Sequence, residues 1–249
     1  MKPVRLFSSD IDGTLAGDRK ASAEFAGYWA RLEAKTRPLL VYNSGRLVED
    51  ILAFTAQEGL PAPDYVIGGV GTMVHSNAER SLAEEYTHRL REGFDVAAIN
   101  ALLESMERLT RQPERFQHDF KSSWFLHGAT AEDIGELEQQ IASSGIKARI
   151  VYSSQRDLDV IPKVADKGQA LTWLCRRLGI GLDEVLVAGD TGNDRGMFDL
   201  PDVRGIIPAN ALPELVRLTQ ENRRMVHTQG REALGVIEGL MRFGVVTKT

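Results

Sequence analysis

The sequence has few features that point to a membrane, an oxidising compartment or a nucleic acid. Its single cysteine, Cys175, cannot form an internal disulfide bond, and we expect it to pack in the core. No run approaches the roughly 18 apolar residues of a membrane span. A net charge of -5 gives no electrostatic attraction for nucleic acid. We therefore expect neither a membrane nor a nucleic-acid partner.

The chain also shows no repeat and no low-complexity tract. The first strand-like segment begins at about Val4, so we expect no signal peptide and a cytoplasmic protein. Its 249 residues, 43% of them hydrophobic and 26% charged, have the composition of a globular protein with one large or two modest domains.

Short apolar strands and helices alternate along most of the chain. We predict strands at residues 4–10, 38–43, 65–67, 184–189 and 203–207, and helices at 21–34, 47–57, 167–178 and 231–241. This alternation predicts a parallel sheet with crossover helices. The expected fold class is α/β, with a Rossmann-like three-layer core.

The middle of the chain departs from this alternation. It contains two amphipathic helix patterns and two strand candidates, KSSWFLH and ARIVYSS. Such a set is sufficient for a small α+β module. We predict an inserted α+β cap domain at residues 82–159, within a core domain of residues 1–81 and 160–249.

The segment DIDGT places Asp10 and Asp12 directly after the first strand. Side chains two residues apart share one face of an extended chain, so both carboxylates project from the carboxyl end of the strand. Ligands of open α/β sheets bind at that edge. Gly13 permits a sharp turn, and Thr14 supplies a hydroxyl. Taken alone, the segment is compatible with a polar strand end, a metal site, or a nucleophile with its proton shuttle.

Ser44, Gly45 and Arg46 follow the second strand. A hydroxyl, free backbone amides and a guanidinium at a helix start suit a phosphate group. The alternative is that Ser44 is only the N-cap of the following helix.

Two further polar segments lie downstream. Lys167 opens a helix, where a cation opposes the dipole, so an anion partner would explain its place. Asp190 and Asp194 lie on a loop with Gly192 and Asn193, and such oxygen ligands suit Mg2+. An exposed lysine and a surface turn are the respective alternatives.

Considered together, these segments favour a functional site. Three of them follow strands that we predict to be parallel, so one sheet edge would gather the acids, the hydroxyl and the lysine. Carboxylates packed this closely repel one another unless a cation joins them.

These motifs resemble those of a known superfamily. DIDGT, the serine of NSGR, the lysine of DKG and GDTGND match, in order, the four motifs of the haloacid dehalogenase-like phosphotransferases. The insertion between the second and third motifs resembles the cap domain of that superfamily. More narrowly, DYVIGGVGTMVH, KSSWFLH, SSQRDLDVIP and GDTGNDRGMF make the chain similar to the sucrose-phosphatase group nearly end to end.

The resemblance implies a role for each matching residue. Asp10 would attack phosphorus, and Asp12 would protonate the leaving oxygen and then activate water, with Lys167 as the third catalytic residue. The implied ligands of Mg2+ are Asp10, the backbone carbonyl of Asp12, Asp190, Asp194 and Asn193. The implied phosphate-binding residues are Ser44, Gly45, Lys167 and Thr14.

The sugar-binding residues are less clearly marked. As a strand, KSSWFLH places Lys121 and Ser123 on one face, which could meet sugar hydroxyls if that face borders the site. Asp159 could accept hydrogen bonds from hydroxyls, whereas we expect Asp157 to be a solvated strand residue. Three more candidates could border the sugar: Arg46, Gly71 and Thr72.

We therefore expect a Mg2+-dependent phosphatase that forms an aspartyl-phosphate. The resemblance implies a fructose-containing disaccharide phosphate as substrate, either mannosylfructose-phosphate or sucrose-phosphate, and a functional link to a sugar-phosphate synthase. A phosphomutase and a phosphatase of another sugar phosphate are the alternative enzymes. A signalling receiver and a non-catalytic sugar-phosphate-binding protein are the alternatives of another class. The sequence does not indicate the oligomeric state.

Overall fold

The helices and strands follow one another in the alternation that the sequence predicts. The structure is a computed structural model, in which residues 2–247 are described. Its strands are β1 (Leu6–Ser9), β2 (Leu39–Asn43), β3 (Tyr65–Gly68), β4 (Met73–His75), β5 (Thr110–Arg111), β6 (Ser122–Phe125), β7 (Ala148–Ser153), β8 (Asp157–Pro162), β9 (Val185–Ala188), β10 (Arg204–Ile207) and β11 (Met225–His227). Its α-helices are α1 (Arg19–Ala30), α2 (Val48–Gln57), α3 (Leu82–His88), α4 (Val96–Glu104), α5 (Ala131–Ser143), α6 (Lys167–Leu178), α7 (Arg195–Phe198), α8 (Pro213–Val216), α9 (Leu218–Glu221) and α10 (Glu232–Arg242).

Seven strands form the larger sheet, in the order β11-β10-β9-β1-β2-β3-β4. All neighbouring strands are parallel except β4, which pairs antiparallel with β3. Successive side chains point to opposite faces, so Leu6 packs on one face and Phe7 on the other. Helices α3 and α6 cover the first face, and α1, α2 and α10 cover the second. The predicted three-layer α/β fold is confirmed, with Cys175 buried in it.

Four strands form a separate antiparallel sheet, in the order β5-β6-β8-β7. Helices α4 and α5 pack on it and enclose a third hydrophobic cluster around Trp124. A capping box fixes the start of α5, because Thr130 and Asp133 each bond the backbone N–H of the other. The inserted domain therefore has its own core.

The packing places the ends of this domain differently from the predicted boundaries. Strand β8 continues to Pro162, past the predicted end at residue 159. Leu82 and Tyr86 of α3 pack in the core cluster of the larger sheet rather than in the cluster around Trp124. We propose that the inserted domain extends from Gly93 to Pro162.

Within residues 2–247, no helix combines the length and the apolar composition needed to cross a bilayer.

Candidate active site

The sequence motifs meet at the carboxyl edge of the larger sheet. Asp10 follows β1, Ser44 follows β2 and Asp190 follows β9, and these three strands are neighbours in the order β9-β1-β2. The chain passes from β1 to β2 on one side and later returns to β9 on the other side of β1. This change of direction opens a crevice above the carboxyl end of β1. The predicted convergence of the motifs is therefore a direct result of strand order.

Lys167 is the cation at the centre of this edge. Asp166 caps α6, since its carboxylate accepts the N–H of Gln169 at 2.7 Å, and Lys167 is the first helical residue. The Nζ of Lys167 donates to Asp10 Oδ1 at 2.7 Å and to Asp194 Oδ1 at 2.6 Å. Burial opposes the charge of Lys167, but the two carboxylates outweigh burial and raise its pKa. Lys167 is thus a permanently charged partner of the acids.

The acids outnumber this cation. Ligand oxygens of Asp10, Asp190 and Asp194 all lie within 4.8 Å of one another, and the three residues are buried. Burial, followed by the charge of Asp194, raises the pKa of Asp190 to about 7. Burial also raises the pKa of Asp10, against the opposing charge of Lys167. Three carboxylates facing one ammonium group are a donor set that fits a divalent cation, because its charge would relieve both shifts.

Asp194 also organises the loop that carries Asp190. Its Oδ2 accepts the backbone N–H groups of Asp190 and Thr191, both at 3.0 Å, while its Oδ1 accepts from Lys167. Asn193 Oδ1 accepts from Lys167 at 3.0 Å. All three predicted residues of GDTGND therefore lie at the site, where Asn193 and Asp194 fix its geometry.

Thr14 lies with the acids rather than beside Ser44 and Gly45. It is buried, and its hydroxyl donates to Asp190 Oδ1 at 3.1 Å. Residues Gly45 and Ser44, by contrast, line the cavity in front of Asp10. Thr14 therefore orients Asp190, and its role in phosphate binding stays a prediction.

Asp12 projects into the cavity, where Arg46 holds it. Arg46 donates from Nε to Asp12 Oδ2 at 2.7 Å and from Nη2 to Asp12 Oδ1 at 2.8 Å. Hydrogen bonding to Asp12 raises the pKa of Arg46 despite partial burial of the guanidinium. Arg46 therefore lines the cavity, as predicted for the sugar side, but its charged atoms are directed to a carboxylate.

The loop of residues 68–71 (GGVG) packs against Ser44. The backbone N–H of Val70 donates to the carbonyl of Ser44 at 3.1 Å, and Val70 adopts φ 58°, which is rare for a β-branched residue. Gly71 adopts φ 89°, and a Cβ there would lie 2.2 Å from the Asp166 carbonyl. Thr72 is buried and donates to the Gly69 carbonyl at 2.8 Å. Gly71 and Thr72 pack within this loop and do not line the cavity, so their contact with the sugar stays a prediction.

A cavity of about 430 Å³ separates the acids from the inserted domain. On the opposite wall, Lys121 Nζ lies 2.9 Å from Asp159 Oδ1, and both residues line the cavity. Ser123 is buried behind them, and its hydroxyl donates to Asp159 at 2.6 Å. Of these three predicted residues, Lys121 and Asp159 face the cavity, while Ser123 positions Asp159.

Sequence reasoning missed several residues of the same wall. Asp157, which we expected to be solvated, lines the cavity and accepts from Gln112 Nε2 at 3.1 Å. Thr191, on the loop of Asp190, lines the cavity from the core side and was not predicted either. The other unpredicted residues on the wall of the inserted domain are Gln112, Phe116, Phe125, Ser153, Ser154 and Arg156. Their positions depend on the pairing of β5, β6, β7 and β8, which no local motif encodes.

Asn43, which lies next to Lys167, was also not predicted as a site residue. It is fully buried, and its Nδ2 donates to the backbone carbonyl of Lys167 at 3.0 Å. A polar residue at the end of the apolar strand PLLVYN is the only signal that the sequence offered.

Comparisons with known proteins agree with this geometry. The sequence pattern of the sucrose-6F-phosphate phosphohydrolase family matches residues 3–244. The chain is 53% identical to the mannosylfructose-phosphate phosphatase of Agrobacterium fabrum, over 98% of this chain and 99% of that protein. The X-ray structure of the sucrose-phosphatase from Synechocystis sp. PCC6803, in complex with sucrose and phosphate, has a TM-score of 0.88 and 28% identity, covering 97% of this chain and 98% of that chain. A haloacid dehalogenase subclass IIB sugar phosphatase shares the fold at 16% identity and a TM-score of 0.68, covering 98% of this chain and 100% of that chain.

The fold is shared with haloacid dehalogenase-like phosphatases. Within this class, the chain belongs to the sucrose-6F-phosphate phosphohydrolase family. The protein is therefore a sugar phosphatase, as the resemblance predicted.

Proposed function

We propose that this phosphatase hydrolyses the phosphate ester of a fructose-containing disaccharide, with mannosylfructose-phosphate as the preferred substrate and sucrose-phosphate as the second candidate. The observation that carries the proposal is the 53% identity to the Agrobacterium fabrum mannosylfructose-phosphate phosphatase over nearly the whole of both chains. A functional link to a sugar-phosphate synthase and a cytoplasmic location stay predictions.

The first chemical step takes place at Asp10. A carboxylate oxygen of Asp10 forms a bond to phosphorus while the bond between phosphorus and the sugar oxygen breaks. For this step Asp12 carries a proton on one oxygen and keeps only its other oxygen in contact with Arg46. It gives that proton to the leaving oxygen, so the sugar departs as an alcohol. Its position on the cavity wall beside Asp10 supports this role.

The second step returns Asp10 to its initial state. A water molecule attacks phosphorus, Asp12 takes a proton from the water, and the bond between phosphorus and Asp10 breaks. The products are inorganic phosphate and the regenerated carboxylate, and Asp12 is again protonated for the next turnover. One pair of acids thus serves both halves of the reaction.

The surrounding residues hold the reacting groups. Lys167 orients Asp10 through the contact at 2.7 Å, and Ser44 and Gly45 line the cavity at the place where phosphate oxygens would bind. Asp10, Asp190 and the backbone carbonyl of Asp12 would hold Mg2+, whose charge neutralises part of the charge on the transferred phosphoryl group. Asp194 fixes the loop of Asp190.

The opposite wall has the chemistry of a sugar site. The cavity volume of about 430 Å³ lies within the usual range of ligand pockets, roughly 300–1,000 Å³. Asp157, Asp159 and Gln112 present carboxylate and amide oxygens that accept hydrogen bonds from adjacent hydroxyls. Phe116 and Phe125 add apolar surface for the ring faces of a sugar.

The proposal is tested by phosphate release from purified protein at limiting substrate concentration. We expect kcat/KM to be highest for mannosylfructose-phosphate, lower for sucrose-phosphate and lowest for fructose 6-phosphate, and we expect EDTA to abolish turnover. A higher kcat/KM for a hexose phosphate than for both disaccharide phosphates would refute the substrate assignment. An isomerised sugar phosphate with little free phosphate would show a phosphomutase instead.

A further inference from the structure

A row of three side chains, Arg46, Asp50 and Phe54, lies along one side of α2. The first of them, Arg46, contacts Asp12. Arg46 lies just before the helix, and Asp50 and Phe54 follow at intervals of four residues, so the three side chains share a face. The Nη1 of Arg46 donates to Asp50 Oδ2 at 2.8 Å, and its Cζ lies 4.0 Å from the centre of the Phe54 ring. These contacts leave Nε and Nη2 free for the two oxygens of Asp12.

We infer that Asp50 and Phe54 are positioning residues for Asp12 and act on it through Arg46. The stacking on Phe54 fixes the plane of the guanidinium, and the Asp50 contact fixes its rotation within that plane. The planar fork of Arg46 then fixes the carboxyl group of Asp12, through both oxygens when Asp12 is ionised and through one oxygen when the other carries the proton. Neither Asp50 nor Phe54 lines the cavity.

Asp12 needs positioning residues because its side chain is exposed to solvent. The side chain of Asp12 is 52% exposed, whereas Asp10 is buried and held by Lys167. A carboxylate on a solvated turn has several rotamers, and a displacement of about 1 Å can lower a rate by as much as 100-fold. Among residues 2–247, Arg46 is the cation that bonds Asp12, and its side chain is only 28% exposed. The orientation of Asp12 therefore depends on the orientation of Arg46.

The Asp50 contact contributes little to stability, which separates the role of Asp50 from a structural one. Asp50 is 46% exposed, and exposed ion pairs four residues apart on a helix stabilise proteins only weakly. Loss of Asp50 should therefore change the orientation of Asp12 without unfolding α2.

The inference rests on the proposed role of Asp12 as proton donor to the leaving oxygen, and this role gives the test its readout. An alcohol needs that proton, whereas p-nitrophenol departs from p-nitrophenyl phosphate as a stable anion. The constant kcat/KM covers the steps up to departure of the leaving group and excludes the later attack of water. Incorrect orientation of Asp12 should therefore lower kcat/KM for alkyl phosphates more than for the aryl phosphate.

The experiment compares Asp50→Ala and Phe54→Leu with the matched control Glu49→Ala, which removes an acid from the same helical turn. We expect the ratio of kcat/KM for glycerol phosphate to that for p-nitrophenyl phosphate to fall by about tenfold in both test variants. We expect the parental ratio in Glu49→Ala and similar melting temperatures throughout. Equal losses on both substrates, or an unchanged ratio in either test variant, would overturn the inference.

Disaccharide phosphates are assayed in parallel to separate this inference from the proposed function. If the parental protein hydrolyses glycerol phosphate and p-nitrophenyl phosphate but neither disaccharide phosphate, the substrate assignment fails. The ratio in the Asp50 and Phe54 variants still decides the positioning role in that case.

Discussion

Single hydroxyl and amide groups hold the acidic residues in place. Thr14 donates to Asp190, and Asn210 Nδ2 donates to the Gly13 carbonyl at 2.7 Å, which ties the turn after β1 to the loop after β10. Buried groups of this kind cost free energy when they lose their partner. The geometry of the metal-binding oxygens therefore depends on residues that do not bind the metal.

We predict that Thr14→Val weakens Mg2+ activation. The variant keeps the shape of the side chain but loses the hydrogen bond to Asp190, and loss of such a partner typically costs about 10–100-fold in metal affinity or activity. The measurement is a Mg2+ titration of phosphate release. Thr14→Ser, which keeps the hydroxyl, should titrate close to the parental protein, and equal behaviour of the valine and serine variants would contradict the role of the hydroxyl.

A second prediction concerns the pH dependence of stability without metal. The pKa of Asp190 is raised from 3.8 to about 7, so the folded protein binds this proton more tightly than the unfolded chain does. The contribution of Asp190 to stability is therefore present at low pH and is lost as pH rises from about 4 to about 7. In EDTA, the melting temperature of the parental protein should fall relative to that of Asp190→Asn across this window.

Mg2+ should reverse this loss in the parental protein, because a ligand that binds only the folded state stabilises it. The stabilisation by Mg2+ should increase with pH and be much smaller in Asp190→Asn. Parallel pH profiles of the two proteins in EDTA would refute the prediction.

At the scale of elements, the position of Lys167 depends on a loop that packs against the start of α6. Gly71 lies against the backbone of Asp166 and Lys167, and its φ of 89° is unfavourable for other residues. The hydroxyl of Tyr86 on α3 donates to the Gly71 carbonyl at 2.6 Å and fixes the loop from the other side. The loop and the two helices therefore form one unit.

We predict that Gly71→Ala destabilises the protein by more than about 2 kcal/mol and lowers kcat by displacing Lys167. Gly128→Ala is the matched control, since Gly128 also has a positive φ, of 61°, but no atom within 4 Å of the added Cβ. The control should show only the cost of the backbone conformation, about 1 kcal/mol. Equal unfolding free energies for the two variants would show that the contact with Asp166 is unimportant.

The sequence was sufficient to predict the long apolar strands but not the short ones. Strands β1, β2 and β9 are buried on both sides, so they appear as continuous apolar runs followed by polar motifs. Strands β4, β5 and β11 have two or three residues each, too few to show an alternation. Their existence depends on pairing with distant strands, which a local pattern does not contain.

At the scale of the whole molecule, the site lies between two domains that contact each other near Lys167. Arg149 on β7 of the inserted domain forms an ion pair with Asp166 at 2.5 Å, and Asp166 caps the helix that begins with Lys167. The orientation of the inserted domain is therefore connected to the catalytic lysine through one carboxylate.

We predict that Arg149→Met lowers kcat/KM by no more than about fivefold, because the guanidinium is partly exposed and such pairs contribute about 1 kcal/mol or less. High salt should reduce the parental value towards that of the variant, since it screens the pair. Arg108→Met, which removes an ion pair within the inserted domain, is the control and should leave kcat/KM unchanged. A loss that is independent of salt would contradict an electrostatic contribution.

The two walls of the cavity differ in how far they could be predicted. On the core wall, each polar motif directly follows a parallel strand, so Asp10, Ser44 and Asp190 could be placed together from sequence. On the opposite wall, Asp157 and Gln112 meet only because β5 and β8 both pair with β6. The hydrogen bond from Thr14 to Asp190 could not be predicted, because side-chain direction depends on the folded turn.

The most direct test of the account is to detect the covalent intermediate on Asp10. Protein mixed with substrate and Mg2+ is quenched in acid within one turnover, digested and analysed by mass spectrometry. The account predicts one additional phosphoryl group on the peptide that contains Asp10, absent from Asp10→Asn, which should also release no phosphate. Parental turnover by Asp10→Asn, or a phosphoryl group on any other residue, would contradict it.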